Sequence, residues 1–351
     1  MRNTTKTATT CAVIVMASGV PALAADGIAG VRKMMIFSDA RQADLEVTIW
    51  YPAASSGETV SLGDSIFFEG TAASLGAPFR DGTFPLILLS HGAGLAGQAD
   101  AMSWMAVPLA QAGFVVVAPT HPGNTGRNRS AAETMKLWQR ASDLSEALTA
   151  IEGDPTVHPH VASGRVGVLG LSMGGNTALS MVGARLDPER FASYCDTDDL
   201  NASLCDWVRS SGVDLHAMDK TAVGRDNADP RIRFAMAIDP APADIFAPAS
   251  FADVSVPVSI VNLGPAAEIP QTIQASWIAE AIAGATYLTF ENANHASMFP
   301  ECKPNAAEIA VEEGIEDPIC EDGGGASRAA IHKQLVETTI ASFRSGISSE
   351  G

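Results

Sequence analysis

One stretch decides the fold of this chain: Val166-Gly167-Val168-Leu169-Gly170-Leu171-Ser172-Met173-Gly174-Gly175. Its first four residues are mostly apolar and predict a buried strand, and the small residues after Ser172 predict the start of a helix. A serine between a strand and a helix, with glycines on both sides, is the pattern of a nucleophile elbow, because small neighbours let the backbone bend sharply. The stretch therefore predicts that Ser172 is a nucleophile at the edge of a sheet, facing the N–H groups of the following helix.

Strands and helices alternate on both sides of this stretch. The predicted strands of the core are 84–89, 114–118, 166–169, 232–238, 256–261 and 286–290, and the predicted helices are 99–112, 134–152, 272–283 and 326–343. Such alternation implies right-handed crossovers and a mostly parallel sheet flanked by helices. Two runs of alternating polarity, 31–37 and 45–51, predict an antiparallel edge before it, followed by a loop over 53–81. The predicted class is α/β, and residues 187–229 interrupt the alternation as a small inserted cap.

The first 25 residues have the plan of a secretory signal. They carry Arg2 and Lys6, an apolar stretch from Cys11 to Ala17, and the small-residue cleavage site Ala22-Leu23-Ala24. Residues 26–351 would then form a single domain that is periplasmic or secreted. No later run approaches the length of a membrane span, so a stable membrane anchor is not expected.

Charge and composition exclude several classes of partner. The formal net charge is −18, and removal of Arg2 and Lys6 would take two positive charges away and leave −20. Such a negative chain is a poor ligand for nucleic acid or for an anionic lipid surface. The hydrophobic content of 46% over 351 residues is enough to fill one large core.

Four cysteines remain after the predicted signal, an even number for an oxidising compartment. They fall in two local pairs, which favours the disulfides Cys195–Cys205 and Cys302–Cys320 over the two other possible connectivities. The spacing C-x-x-C that zinc sites use is absent from the sequence, and no metal is expected.

A second glycine motif allows two interpretations. The stretch Gly92-Ala93-Gly94-Leu95-Ala96-Gly97 fits the dinucleotide pattern G-x-G-x-x-G between a strand and a helix. A nicotinamide site also needs a carboxylate at the end of the next strand, but that strand ends Ala118-Pro119-Thr120-His121. An oxidoreductase is therefore the weaker interpretation.

With the preceding residues, the same stretch gives Ser90-His91-Gly92-Ala93-Gly94, a turn whose backbone N–H groups could face a carbonyl oxygen. The predicted oxyanion hole consists of the amides of Met173 and Ala93, with Gly94 as the nearest substitute for Ala93. His91 precedes the nucleophile in the chain, so a structural role is expected for it.

In hydrolases that carry a nucleophile elbow, the catalytic residues follow one another along the chain in the order serine, acid, histidine. The base must therefore follow the last strand. His295 lies one short loop after the strand 286–290 and is the predicted base. Two residues compete as the acid: Asp239 at the end of the strand 232–238, and Glu268 in the loop after the next strand. We favour Asp239, because Glu268 would approach the imidazole with a longer side chain.

These residues make the chain resemble the platelet-activating-factor acetylhydrolase and "predicted dienelactone hydrolase" branch of the α/β-hydrolases. The resemblance covers most of the chain after the signal and rests on Ile49-Trp50-Tyr51-Pro52-Ala53, Phe84-Pro85 through His91-Gly92, Gly170 through Gly175, Ala237-Ile238-Asp239, and His295 with Phe299. In the acetylhydrolases the acid follows the strand before the usual one, so the resemblance supports Asp239. True dienelactone hydrolases use cysteine where this chain has Ser172, and Leu171 stands where relatives often have histidine.

The sequence thus predicts a secreted or periplasmic serine hydrolase that cleaves esters of short or modest-size acyl groups through an acyl-enzyme, without a cofactor. Its substrate would be a small-molecule or lipid-like ester. Gly94, His121 and Trp207 are candidate substrate-binding residues, although His121 could equally end a turn before Pro122. A non-catalytic binding protein on the same fold stays the main alternative.

Overall fold

A computed structural model describes residues 27–125, 128–315 and 317–348. The predicted export signal, residues 1–25, lies outside these residues. No helix in the described ranges is both long and apolar enough to cross a membrane.

The strands follow the predicted order, with four additional short strands, which are the third, fourth, seventh and eighth along the chain. They are β1 (Ile28–Ser38), β2 (Ala43–Ala53), β3 (Glu58–Leu62), β4 (Thr71–Leu75), β5 (Phe84–Ser90), β6 (Val115–Pro119), β7 (Asn124–Thr125), β8 (Asn128–Arg129), β9 (Val161–Leu171), β10 (Ile232–Ile238), β11 (Val258–Leu263) and β12 (Thr286–Phe290).

The described residues form a ten-stranded sheet in the order β12-β11-β10-β9-β5-β6-β2-β1-β4-β3, and β7 pairs with β8 separately. The six strands from β12 to β6 are parallel to their neighbours, and β2 and β1 continue the sheet in antiparallel pairing. Because β5, β9, β10 and β11 are adjacent, the loops that follow them meet at one edge of the sheet.

Helices cover both faces of this sheet. They are α1 (Ser103–Gln111), α2 (Ala131–Thr134), α3 (Leu137–Gly153), α4 (Met173–Ser180), α5 (Pro188–Ala192), α6 (Ala202–Ser210), α7 (Lys220–Val223), α8 (Ser276–Ala281), α9 (Ala306–Glu312) and α10 (Arg328–Ser348).

Two apolar cores lie on opposite faces of the sheet. In β5, Leu86 and Leu88 belong to the core that contains α3 and α4, whereas Ile87 and Leu89 belong to the core that contains α1 and α10. Burial on both faces explains why the central strands are apolar without alternation. The prediction of an α/β fold with a mostly parallel sheet and an antiparallel edge is confirmed.

Several predicted boundaries were wrong. The predicted loop 53–81 contains β3, in which Val60 and Leu62 alternate with polar residues over only five positions, and β4, whose small residues give no apolar alternation. The β4 strand forms by pairing with β1, at Gly30 with Ser74 and Val31 with Leu75, so tertiary contact rather than side-chain pattern determines it. The predicted helix 134–152 corresponds to α3, which begins three residues later at Leu137, and the separate short helix α2 ends at Thr134.

Between α4 and β10 the chain forms the short helices α5, α6 and α7 in the predicted cap region. Phe191 packs edge-on against Trp138 of α3, at a ring-centroid distance of 6.1 Å. Both predicted disulfides are present: Cys195–Cys205 within this region, and Cys302–Cys320 after β12.

Candidate active site

Ser172 occupies the sharp turn between β9 and α4. Its backbone has φ 55° and ψ −122°, a conformation that non-glycine residues rarely adopt. The N–H of Ser172 donates to the carbonyl oxygen of Ile238 (2.9 Å), and its own carbonyl oxygen accepts from the N–H of Gly175 (2.8 Å). The strained turn is thus held by the neighbouring strand on one side and by the following helix on the other.

The glycines of the motif are required by close backbone approach. A Cβ atom on Gly170 would lie 1.9 Å from the carbonyl oxygen of Gly174, and one on Gly174 would lie 1.9 Å from that of Ser90. Both contacts are with backbone, which cannot move aside as a flexible side chain can. Any larger residue would therefore push the turn away from β5.

His295 reaches Ser172 from the loop after β12. Its Nε2 lies 3.1 Å from the Oγ of Ser172. The loop is fixed by a reciprocal pair of bonds, in which the Asn294 side chain accepts from the N–H of Ser297 and the Ser297 hydroxyl oxygen accepts from the N–H of Asn294. The His295 side chain is 38% exposed, so a substrate can reach it.

Asp239 binds the other side of the imidazole. Its Oδ2 lies 3.0 Å from Nδ1 of His295, and the carboxylate is fully buried. Like Ser172, Asp239 has a positive φ, of 43°. Glu268 is exposed in the loop after β11, so the structure brings Asp239, and not Glu268, to the histidine.

Sequence reasoning missed Asn262, a buried residue near the end of β11. Its Nδ2 donates to Oδ1 of Asp239 (2.8 Å) and to the carbonyl oxygen of Ile273 (2.7 Å). Its Oδ1 accepts from the N–H of Ala275 (2.9 Å) and from the hydroxyl of Tyr287 (3.0 Å). With every amide position occupied, Asn262 holds one carboxylate oxygen of Asp239 so that the other faces His295. An isolated asparagine in an apolar strand gives no recognisable motif.

A cavity of about 50 Å³ opens beside the serine. It is lined by Gly92, Ala93, Ala96, Met102, Leu171, Ser172, His295, Met298 and Phe299. A Cβ on Gly92 would lie 3.3 Å from the Cβ of Ser172, so the loop after β5 passes close to the serine. Met173 is the first residue of α4, where backbone N–H groups have no acceptor within the helix. The predicted donors Ala93 and Met173 thus flank the serine.

The three candidate substrate-binding residues lie outside the lining of this cavity. His121 is fully buried, with its Nε2 bonded to the Ser90 hydroxyl (3.0 Å) and its Nδ1 to Asp143 (2.7 Å). The prediction that His121 lines the pocket was therefore wrong. Trp207 is partly buried in the cap region with the Arg129 guanidinium 4.7 Å from its ring centroid, and Gly94 is exposed next to Ala93. Neither of these two residues lines the cavity in the described structure.

Comparison with known proteins identifies the fold. No protein-family model and no curated protein matches the chain. Among solved structures, a ferulic acid esterase from Streptomyces cinnamoneus is similar over 93% of this chain and 92% of its own, at 17% identity and a TM-score of 0.57. A puromycin-hydrolyzing peptidase from Mycobacterium tuberculosis is similar over 95% of this chain but 41% of its own, at 13% identity and a TM-score of 0.50.

These similarities, together with the sheet order and the serine turn, show that the chain has the α/β-hydrolase fold. The predicted fold is thereby confirmed. The narrower resemblance to the platelet-activating-factor acetylhydrolase branch stays a prediction.

Proposed function

We propose that this protein is an exported serine hydrolase that cleaves carboxylic esters of short acyl groups. The observation that carries the proposal is the unbroken hydrogen-bonded chain from Ser172 through His295 to Asp239, with contacts of 3.1 and 3.0 Å, beside a cavity. A buried carboxylate, an accessible imidazole and a strained serine are the parts that nucleophilic acyl transfer needs.

The proposed reaction has two halves. Ser172 Oγ attacks the ester carbonyl carbon while Nε2 of His295 takes its proton, and the imidazolium then gives that proton to the leaving alkoxide as the ester C–O bond breaks. In the second half, water attacks the acyl carbon while Nε2 of His295 takes its proton, and the imidazolium then returns that proton to Ser172 Oγ as the bond between the acyl carbon and Oγ breaks. Asp239 orients the imidazole through Nδ1–H and stabilises its charged form. The alcohol and the acid are the products.

The oxygen of the ester carbonyl becomes negatively charged in each half. The amide of Met173, at the N-terminus of α4, and the amide of Ala93, in the loop after β5, are the proposed donors to it. Pre-oriented donors of this kind contribute about 10²–10³-fold to the rate each.

The size of the cavity supports a short acyl group. At about 50 Å³ it has a third of the volume, about 150 Å³, that holds a benzene molecule in an engineered cavity. Its wall is apolar, formed by Met102, Met298, Phe299 and Leu171, and so suits the alkyl part of an acetyl or propionyl group better than a charged one.

Export of the protein is supported by two observations. The described residues contain two disulfides, which persist in oxidising compartments, and the first 25 residues have the composition of a secretory signal. We propose a periplasmic or secreted location.

The test is hydrolysis of p-nitrophenyl acetate, butyrate, octanoate and laurate by the wild type, Ser172→Ala and Ser180→Ala. Ser180 lies at the other end of the same helix and is the matched control. We expect the wild type and Ser180→Ala to be most active on acetate and butyrate, and Ser172→Ala to lose at least 10³-fold in kcat. A p-nitroanilide of the same acyl group distinguishes an esterase from a peptidase.

Activity that survives in Ser172→Ala would overturn the nucleophile. If the wild type is inactive on all four esters, and Ser172→Ala binds them as tightly as the wild type does, the protein is a binding protein on a hydrolase fold. Faster hydrolysis of the anilide than of the matched ester would show that the protein is a peptidase rather than an esterase.

A further inference from the structure

The structure contains a second chain of serine, histidine and aspartate that is fully buried. Ser90 Oγ lies 3.0 Å from Nε2 of His121, and Nδ1 of His121 lies 2.7 Å from Oδ2 of Asp143. The Arg41 guanidinium binds both oxygens of Asp143, at 2.7 and 2.8 Å. All three members of the chain have zero exposure, so no substrate reaches them. These residues instead contact the loop after β5, whose Ala93 amide is a proposed donor to the oxyanion.

His91 connects this buried chain to the loop. Its Nε2 accepts from the backbone N–H of His121 (3.0 Å), so the proton of the neutral ring sits on Nδ1. Burial lowers the pKa of His91 well below its usual range, and the nearby His121 and Arg140 lower it further. Nδ1–H therefore donates to the carbonyl oxygen of Gly92, at 2.6 Å.

That bond fixes the direction of the Ala93 amide. The carbonyl of Gly92 and the N–H of Ala93 belong to one planar trans peptide and point in opposite directions. Because the Gly92 carbonyl oxygen is held against the His91 ring, the Ala93 N–H points away from that ring. A rotation of the preceding peptide, between His91 and Gly92, would disturb this arrangement.

Arg140 holds that preceding peptide. Its Nη2 donates to the carbonyl oxygen of His91, and its Nε donates to Thr177 Oγ1 at 3.3 Å. Thr177 lies on α4, and its hydroxyl donates to the carbonyl oxygen of Met173 (3.1 Å). One guanidinium thus touches both the loop that carries Ala93 and the helix that begins at Met173.

Arg140 is an unfavourable residue for this position if stability alone is considered. It is almost completely buried, and in the described structure its Nη1 has no hydrogen-bond partner. Burial lowers the pKa of its guanidinium to about 9, although the nearby Asp143 opposes this effect. Apolar residues of similar volume often replace a buried ion pair without loss of stability, so a buried charge is weak evidence for a stabilising role. The directed contacts of Arg140 are what an apolar residue would lack.

We propose that Arg140 is a positioning residue for the oxyanion hole: it sets the Ala93 amide relative to the Met173 amide by binding His91 and Thr177 together. This inference rests on the proposed ester hydrolysis. Arg140 touches no reacting atom, so its effect is on the transition state through the geometry of two donors.

The test compares Arg140→Met, Arg140→Lys and Thr177→Val with the wild type on p-nitrophenyl acetate. The matched control is Arg231→Met, because Arg231 anchors the same helix, α3, through the Ser145 carbonyl and Glu152 but lies away from the loop. We expect kcat of Arg140→Met to fall 10- to 100-fold with KM within threefold, and Arg140→Lys to recover part of the loss. Inhibition by an alkyl trifluoromethyl ketone, whose hemiketal oxygen occupies the oxyanion hole, weakens by the same factor as kcat.

Arg231→Met is expected to lower the thermal midpoint while kcat and ketone affinity stay within twofold of the wild type. A folded Arg140→Met with wild-type kcat and ketone affinity would overturn the proposal. If neither Arg140 variant folds, Thr177→Val decides: a threefold or greater loss of kcat with matching loss of ketone affinity supports the proposal, and a smaller change overturns it. A wild type without esterase activity would refute the proposed function instead, so the two failures are distinct.

Discussion

Two residues of the candidate active site, the serine and the acid, have a positive φ. Ser172 and Asp239 lie at the ends of adjacent strands, and each conformation costs about 1–3 kcal/mol. Each is held by a backbone bond to the next strand, from Ser172 N–H to Ile238 and from Asp239 N–H to Val261. The sheet therefore fixes the separation of serine and acid, and the imidazole of His295 fills the space between them.

The acid can be identified by paired variants. Asp239→Asn keeps the shape but presents an amide to Nδ1 of His295, which favours the wrong tautomer and should lower kcat by about 10⁴-fold. Glu268→Gln changes an exposed side chain and should leave kcat within twofold. Steady-state kinetics on p-nitrophenyl acetate measure both, and the reverse pattern would restore Glu268 as the acid.

Asn262 supports Asp239 from behind. Asn262→Leu removes one of two donors to Oδ1 of Asp239, the other being the N–H of Leu263 at 2.8 Å. A hydrogen bond to a charged group contributes about 1.5–3 kcal/mol, so kcat should fall by about 10- to 100-fold. Steady-state kinetics on p-nitrophenyl acetate measure this loss.

Tyr287→Phe is the matched control, because it removes a bond to the far side of the Asn262 amide and none to Asp239. Its kcat should stay within threefold of the wild type. Equal losses in both variants would show that Asn262 acts only through folding.

Sequence order predicted Ser172 and His295 as neighbours and left Asp239 and Glu268 as competing acids, because each of these residues follows a strand of the same parallel sheet. It could not predict Asn262, whose role depends on a register between β10 and β11. It also misplaced His121, because a histidine at a strand end looks the same whether its ring points into a pocket or into a buried network.

At the scale of elements, the segment after His295 forms one wall of the cavity. Phe299 lines the cavity and stacks on Phe68 at a centroid distance of 5.4 Å. Three residues later, the Cys302–Cys320 disulfide closes the segment, and Arg328 of α10 donates to the carbonyl oxygens of Pro300 and Ile319. The wall thus depends on a cross-link outside the sheet.

Removal of this disulfide should change specificity as well as stability. In Cys302→Ser/Cys320→Ser, loss of the cross-link should lower the free energy of unfolding by about 3 kcal/mol. Phe299 should become more mobile, so the ratio of kcat/KM for the acetate to that for the octanoate should decrease several-fold. The control is Cys195→Ser/Cys205→Ser, whose disulfide lies in the cap region, away from the cavity. It should lose stability but keep the chain-length profile. Identical profiles in the two double variants would contradict this role.

The elements that were hardest to predict are those that depend on distant partners. The central strands β5, β6, β9 and β10 were recognisable because burial on both faces leaves a continuous apolar run. By contrast, β3 and β4 have five residues each, most of them small or polar, and they are strands because β4 pairs with β1 and β3 pairs with β4.

For the whole molecule, stability in acid depends on histidines buried in neutral form. Burial lowers the pKa of His91 and of His121 well below the usual value, and it lowers that of His332 to about 4. His332 stacks on Trp104 at 3.7 Å and donates from Nε2 to the carbonyl oxygen of Ser297. It therefore connects α10 to the loop of His295.

The sign of the pH effect follows from the lowered pKa. Between pH 6.5 and pH 4, the unfolded chain binds a proton at His332, whose ordinary pKa is 6.5, and the folded chain does not. The contribution of neutral His332 to the free energy of unfolding is therefore complete above pH 6.5 and is lost as the pH falls towards 4. Over this range the loss amounts to about 3 kcal/mol for His332, at about 1.4 kcal/mol per pKa unit. The other two histidines add losses of the same sign.

His332→Gln tests this contribution, because the amide can still donate to Ser297 but does not titrate. Between pH 7 and pH 4.5, urea unfolding should show a smaller fall in the free energy of unfolding for His332→Gln than for the wild type, by about 2–3 kcal/mol. His158→Gln, at an exposed position, should follow the wild type. If all three proteins lose stability in parallel, acid sensitivity arises elsewhere, and the contact between α10 and the His295 loop does not depend on the charge of His332.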